Sequence, residues 1–203
     1  METVIKGVGQ DAPTVVNEKG GKQSHVPYRF DLIDAQAMLA LTEIAAEEAA
    51  AGADPYHTHW RDHVDEFLYR VYLQLAGDET EDHLAYAMYH SGMALSIWMG
   101  CLPVAEYESK SLSRFGVIGA KAVFDLAEIL ATGATKYGEE NWRQIPWRDN
   151  LNHAITHAFA HLAGDDQDDH MGHAFCRAMF AHATYWAELD RRERKQAIRK
   201  AAF

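Results

Sequence analysis

The chain contains a stretch that repeats itself. "RFDLIDAQAMLALTEI" (Arg29 to Ile44) is echoed by "RFGVIGAKAVFDLAEI" (Arg114 to Ile129), and "WRDHVDEFLYRVYLQLAGDETEDH" (Trp60 to His83) by "WRDNLNHAITHAFAHLAGDDQDDH" (Trp147 to His170). The shared "RF", "WRD", "LAGD" and "DH" keep their order, which two unrelated Ala-rich helical stretches would not do by chance. Self-similarity on this scale ties the fold to one supersecondary unit used twice.

Each copy reads as three helices. In the middle helix of the second copy Trp147, Leu151, Ala154, Ile155, Ala158, Phe159 and Leu162 recur at helical spacing. Trp60, Val64, Phe67, Leu68, Val71, Tyr72 and Leu75 keep that stripe in the first. Gly133 is expected to close the helix before the connecting loop. Gly164 suits the position just past a helix end, and the Asp residues after it suit the next helix start. The third segments, near Leu84–Met99 and Met171–Trp186, are apolar almost all round and predict central helices. Nothing reads as a strand. The expectation is an all-α helical bundle of two internally repeated three-helix units, a pseudo-dimer. Its parts would be a Gly/polar head (1–28), a degenerate first repeat (29–100), a link (101–113), a second repeat with the site (114–190) and a charged tail (191–203).

With 203 residues, 48% of them hydrophobic, the chain can bury a core. Its net charge of −11 argues against a nucleic-acid polymer as partner, since duplex binding needs a basic surface. Leu84 to Val104 lacks Asp, Glu, Lys and Arg and is long enough to span a bilayer. His90, Ser91, Gly92 and Pro103 interrupt it, however, so no membrane partner is expected. Cys101 and Cys176 form no CxxC pair, and the start lacks an apolar secretory core, so a reducing cytoplasm is the expected location.

Carboxylates come in pairs. Asp125 and Glu128 stand three apart, as do Asp165 and Asp168, and Asp166 and Asp169, a spacing that shares one helix face. Two helices offering such acids can hold Mg2+ or Mn2+, ions that take oxygen ligands and activate a bound water. Glu128, Asp165, Asp168 and Asp169 are the candidate ligands together with Asp125, whereas Asp166 reads as a capping and solubilising acid. His153, His157 and His161 run along a face opposite the apolar stripe, matched by Glu66, Arg70 and Gln74 in the first copy. They read as surface or interface groups; His170 and His173 lie nearer the acids.

The loop "GATKYGEENWR" (Gly133 to Arg143) would emerge beside those acids. Lys136 and Arg143 could neutralise phosphate, Tyr137 or Trp142 could stack on a base, and Asn141 could read its edge. The first copy has "GADPYHTHW" there, keeping aromatic anchors and losing the lysine and asparagine. A loop needed only for folding has no reason to diverge in that way. Neither a Walker-type loop nor a nucleophilic Ser or Cys motif is present, and the doublets are "DH", not the "HD" of HD-type phosphohydrolases.

"GGKQS…YRFDLI", "GATKYGEENWR", "DNLNHA…HLAGD" and "DDHMGHAFCRAMF" resemble the phage and prophage dATP/dGTP diphosphohydrolase N-terminal domain family. That family is similar to the wider all-α NTP pyrophosphohydrolases of the MazG type. The resemblance implies a helical bundle, often assembled as a homo-oligomer, that binds Mg2+ through two acidic pairs. It also implies cleavage of a nucleoside triphosphate between the α and β phosphates. By position, Asp125 and Glu128 stand for the first acidic pair and Asp165 and Asp168 for the second. Three of these four are Asp, and the pairs lie further apart than is usual in the wider group. A phage-encoded chain would work in the host cytoplasm.

The expectation is therefore hydrolysis of a purine (deoxy)nucleoside triphosphate to monophosphate and pyrophosphate, with Mg2+ or Mn2+. Glu128, Asp165 and Asp168 would be catalytic. Lys136, Tyr137, Asn141, Trp142, Arg143, His170 and His173 would hold substrate, with Lys22 brought in by the head. The alternative is a non-catalytic protein that sequesters or senses a nucleotide on the same scaffold; it would return its ligand intact.

Overall fold

The structure is a computed structural model that describes residues 13–16, 18–25, 28–100 and 118–201. Six α-helices form its body among the described residues: α1 (Ala35–Ala50), α2 (Trp60–Ala76), α3 (His83–Trp98), α4 (Ala120–Tyr137), α5 (Trp147–Leu162) and α6 (His170–Ala201). Local chemistry sets most of the boundaries. Asp34 caps α1 by accepting from the Ala37 N–H at 3.0 Å, and Asp82 caps α3 through the Ala85 N–H at 3.0 Å. Gly77 (φ 84°) follows α2 in the left-handed region, and Gly164 (φ 82°) does the same after α5.

Helices α3 and α6 pack on each other at the centre, flanked by α2 and α5 respectively; α2 also touches α5. Helices α1 and α4 each contact both central helices. The core runs through this arrangement, with Phe67 on α2, Tyr89 on α3, Leu151 on α5 and Phe175 on α6 essentially without solvent contact. At Gly92 a Cβ would lie 3.3 Å from the Phe175 ring and from Ile118, so the glycine allows a close crossing of α3 over α6. The apolar third segments are thus central, as their all-round hydrophobicity predicts. No helix among the described residues is long and apolar enough to cross a membrane.

Equivalent contacts recur in the two sets of helices. Asp78 lies 3.3 Å from His83 across the α2–α3 turn, and Asp165 lies 3.4 Å from His170 across the α5–α6 turn. His63 and His90 meet at 3.0 Å between α2 and α3, and Asn150 and Arg177 meet at 3.0 Å between α5 and α6.

Three details depart from the sequence reading. Thr14–Val16 and Lys22–Ser24 form a two-stranded antiparallel hairpin, β1 and β2, in which Val15 pairs with Gln23; strands of three residues are too short to show an apolar alternation. Helix α4 runs through Gly133 and stops at Gly138, where φ is 91°. Asp165 to Asp169 lie in the turn before α6, not on a helix face. The carboxylates of Asp165 and Asp168 accept from the backbone N–H groups of Gln167 and Asp169, a local turn chemistry that competes with helix. The 101–113 link lies outside the described residues.

A pocket between the loop after α4 and two histidine-bearing helices

The loop is held from three sides. Past Gly138 the chain makes a short 3-10 turn, Asn141–Gln144, and Pro146 leads into α5. Trp142 is 7% exposed and stacks on Phe180 of α6, ring centres 4.6 Å apart and planes 8° apart. Arg143 covers the Trp142 ring, pairs with Glu140 and reaches to 3.7 Å from Asp34. Arg29 donates to Glu139 at 2.7 Å, while its backbone N–H bonds Ala127 O. Trp142 and Arg143 therefore anchor the loop: the Trp142 ring, which also lines the cavity beside it, lies against Phe180 and Arg143, and the Arg143 guanidinium is turned to Asp34 and Glu140.

What the anchored loop leaves open is a cavity of about 450 Å³. Lys136, Tyr137 and Asn141 line one side; His153 and His157 of α5 and Asp168, His173 and Arg177 line another. The floor includes Leu130, Cys176 and Phe180. Its size is that of a small-molecule site with an apolar base and a few converging polar groups. Tyr137 is 58% exposed at the mouth, with Lys136 Nζ 4.8 Å from its ring centre. Lys22 lies exposed on β2 and is not among the lining groups, and neither are Asp125, Glu128, Asp165, Asp169, His170 and Arg143.

The acids fall into two groups. Asp125 and Asp169 converge over Gly172, where any Cβ would overlap Oδ2 of both and Cδ1 of Ile129. Burial, the neighbouring Asp169 and the charge of Glu128 together push the Asp125 carboxyl well above the usual range. Asp125 Oδ2 is buried with no hydrogen-bond partner. Two carboxylates in that position need a shared proton or a cation, so the pair fits a hard divalent ion. Glu128, one turn further along α4, is exposed.

The second group is built on histidine. His157 and His170 face each other with Nδ1 atoms 3.0 Å apart, His173 stacks on His157 at 4.9 Å, and Asp168 Oδ1 lies 3.4 Å from His173 Nε2. Burial, helped by His173 and His170, lowers the His157 pKa to about 4, so its imidazole is neutral at neutral pH. Asp165 is held low by the Gln167 backbone N–H and stands 3.4 Å from His170 Nε2. The three histidines of α5 thus divide: His153 and His157 reach the pocket, while His161 lies between Trp60 and Trp98, ring centres 4.8 and 4.6 Å away.

Arg177 is the cation that sequence reasoning missed. Its Nη1 donates to Asn150 Oδ1 at 3.0 Å, and Asn150, fully buried, donates in turn to Ile145 O at 3.3 Å. The corresponding first-half pair is His63 and His90, so the repeat alone carried a signal: two imidazoles in one half, an amide and a fixed charge in the other.

No curated protein and no solved structure matches the chain. A family model does, described as dATP/dGTP diphosphohydrolase, N-terminal, and its match runs over residues 103–194. These residues include α4, the anchored loop, α5 and the pocket-lining part of α6. Over that stretch the chain is similar to the dATP/dGTP diphosphohydrolase N-terminal family.

Proposed function

We propose that the pocket binds a purine deoxynucleoside triphosphate and hydrolyses it to the monophosphate and pyrophosphate. The observation that carries this reading is one cavity lined by two cations, Lys136 and Arg177, by an amide and a phenol, Asn141 and Tyr137, and by the Asp168–His173 pair. The family name points to the same substrate class.

Lys136 and Arg177 supply positive charge for a triphosphate on a chain whose net charge is −11. Asn150 fixes the guanidinium of Arg177, so less freedom is lost when it meets phosphate. Asn141 offers donors and an acceptor to a base edge, and Tyr137 offers a ring face at the mouth. His173 takes the proton of the attacking water, and Asp168 stabilises the imidazolium that results. The bond formed joins water oxygen to the α-phosphorus, the bond broken is that from the α-phosphorus to the bridging oxygen, and pyrophosphate leaves. A divalent ion, for which Asp125 and Asp169 provide oxygen ligands, would supply charge stabilisation at the phosphates.

The test is a panel of NTPs and dNTPs with Mg2+ or Mn2+, products resolved by chromatography. Purine dNTPs are expected to yield monophosphate and pyrophosphate. Intact nucleotide recovered from a tight complex would establish the sequestering alternative instead, and absence of both binding and turnover would end the nucleotide reading.

A further inference from the structure

We propose that His157, Asp168 and His170 form a centre for a nitrogen-preferring divalent cation of the Co2+ and Zn2+ class, distinct from the Asp125–Asp169 carboxylate pair. Each of the three residues offers one ligand atom, and these atoms lie within 4.8 Å of one another. The two imidazoles meet at 3.0 Å through Nδ1, and His170 Nε2 is buried without a hydrogen bond. Stacking of His173 on His157, planes 14° apart, limits how far that imidazole can turn away.

The first half shows what this place in the fold asks for. The positions corresponding to His157, Asp168, His170 and His173 are Arg70, Glu81, His83 and Tyr86. There the Arg70 guanidinium lies 4.0 Å over the Tyr86 ring and pairs with Glu81. The first half thus seats its own cation between the helix and the carboxylate. In the second half the long cationic side chain is replaced by a short imidazole, while the acid and the buried histidine stay. The cation has to come from outside.

Donor chemistry decides which cation. Two imidazoles and one carboxylate suit first-row transition ions, whereas Mg2+ and Ca2+ favour all-oxygen sets. The inference goes beyond the hydrolase reading and is measured without nucleotide.

The experiment uses the full chain, stripped with a chelator and titrated with Co2+ by visible absorption, then with Zn2+ by displacement. One Co2+ per chain is expected, displaced by Zn2+ and not by excess Mg2+. His170→Gln should weaken binding by more than the roughly 100-fold that losing an outer partner costs. His157→Arg should do the same with the helical signal and melting point retained, because it installs the guanidinium that the first half already accommodates. Asp125→Asn should keep Co2+ affinity within a few-fold. No Co2+ or Zn2+ uptake, uptake untouched by His157→Arg, or equal loss in Asp125→Asn would each overturn the proposal. A metal bound as expected by a chain that hydrolyses no nucleotide would refute the hydrolase reading alone; turnover with Mg2+ and no Co2+ uptake would refute this one alone.

Discussion

Gly172 lies in the first turn of α6, where its missing side chain lets Asp125 and Asp169 come together. Replacing a helical glycine by alanine ordinarily stabilises by about 1 kcal/mol. Here the new methyl would overlap two carboxylate oxygens and Ile129, and overpacking of that kind costs about 1–3 kcal/mol. Gly172→Ala is therefore expected to lower stability in chemical denaturation, and a more stable variant would show that the carboxylates are not confined as described. Arg177→Lys tests a different property. Lysine keeps the charge but cannot present a fork to Asn150 and a phosphate together. Nucleotide kcat/KM is expected to fall about 10–100-fold, a loss of roughly 1.4–3 kcal/mol in transition-state binding, with the melting point little changed.

At the scale of helices, the buried pair between α2 and α3 makes a pH prediction. Burial and the neighbouring His63 and Arg70 lower the His90 pKa from 6.5 to about 3. Between those two values the unfolded chain binds the proton that the folded chain refuses, so this group's contribution to stability falls as pH drops from 6.5 toward 3. His90→Gln removes the titrating group. Its melting point should decline less steeply than that of the parent over this window; parallel decline would mean that other groups govern acid unfolding. The turn after α4 shows how helix ends were partly legible. "GATKYG" offers two glycines, and both can follow a helix. What selects Gly138 is its backbone, φ 91° and ψ 147°, a region open essentially to glycine, whereas Gly133 has ordinary helical neighbours through Lys136. A sequence lists both residues but not which one the docked loop forces into that conformation.

Over the whole molecule, periodicity and the recurring "WRD" and "LAGD" made the helices legible, because local spacing alone writes an apolar stripe. The cavity lining was legible where one segment carried it, as with Lys136 and Asn141, and obscure where two helices had to be docked first. His157 reads as one of three surface histidines until α5 is laid on α6, and Arg177 reads as an isolated charge until Asn150 is found beside it. The two halves also show what turns a packed layer into a pocket. Tyr89 fills α3 with a fully buried ring, and the corresponding position on α6 is Cys176, small and at the pocket floor. A thiol in place of a phenol ring leaves space beneath the loop, and burial raises the Cys176 pKa to about 12, so the group stays a neutral, space-making side chain. Cys176→Tyr would give the second half the bulk of the first. Since a cavity of about 450 Å³ lies beside the position, the ring has room without displacing α5 or α6. The melting point is expected to hold within a few degrees while nucleotide affinity, read by calorimetry, falls at least about tenfold, or about 1.4 kcal/mol. Unchanged affinity in a folded Cys176→Tyr chain would place the nucleotide somewhere other than this pocket.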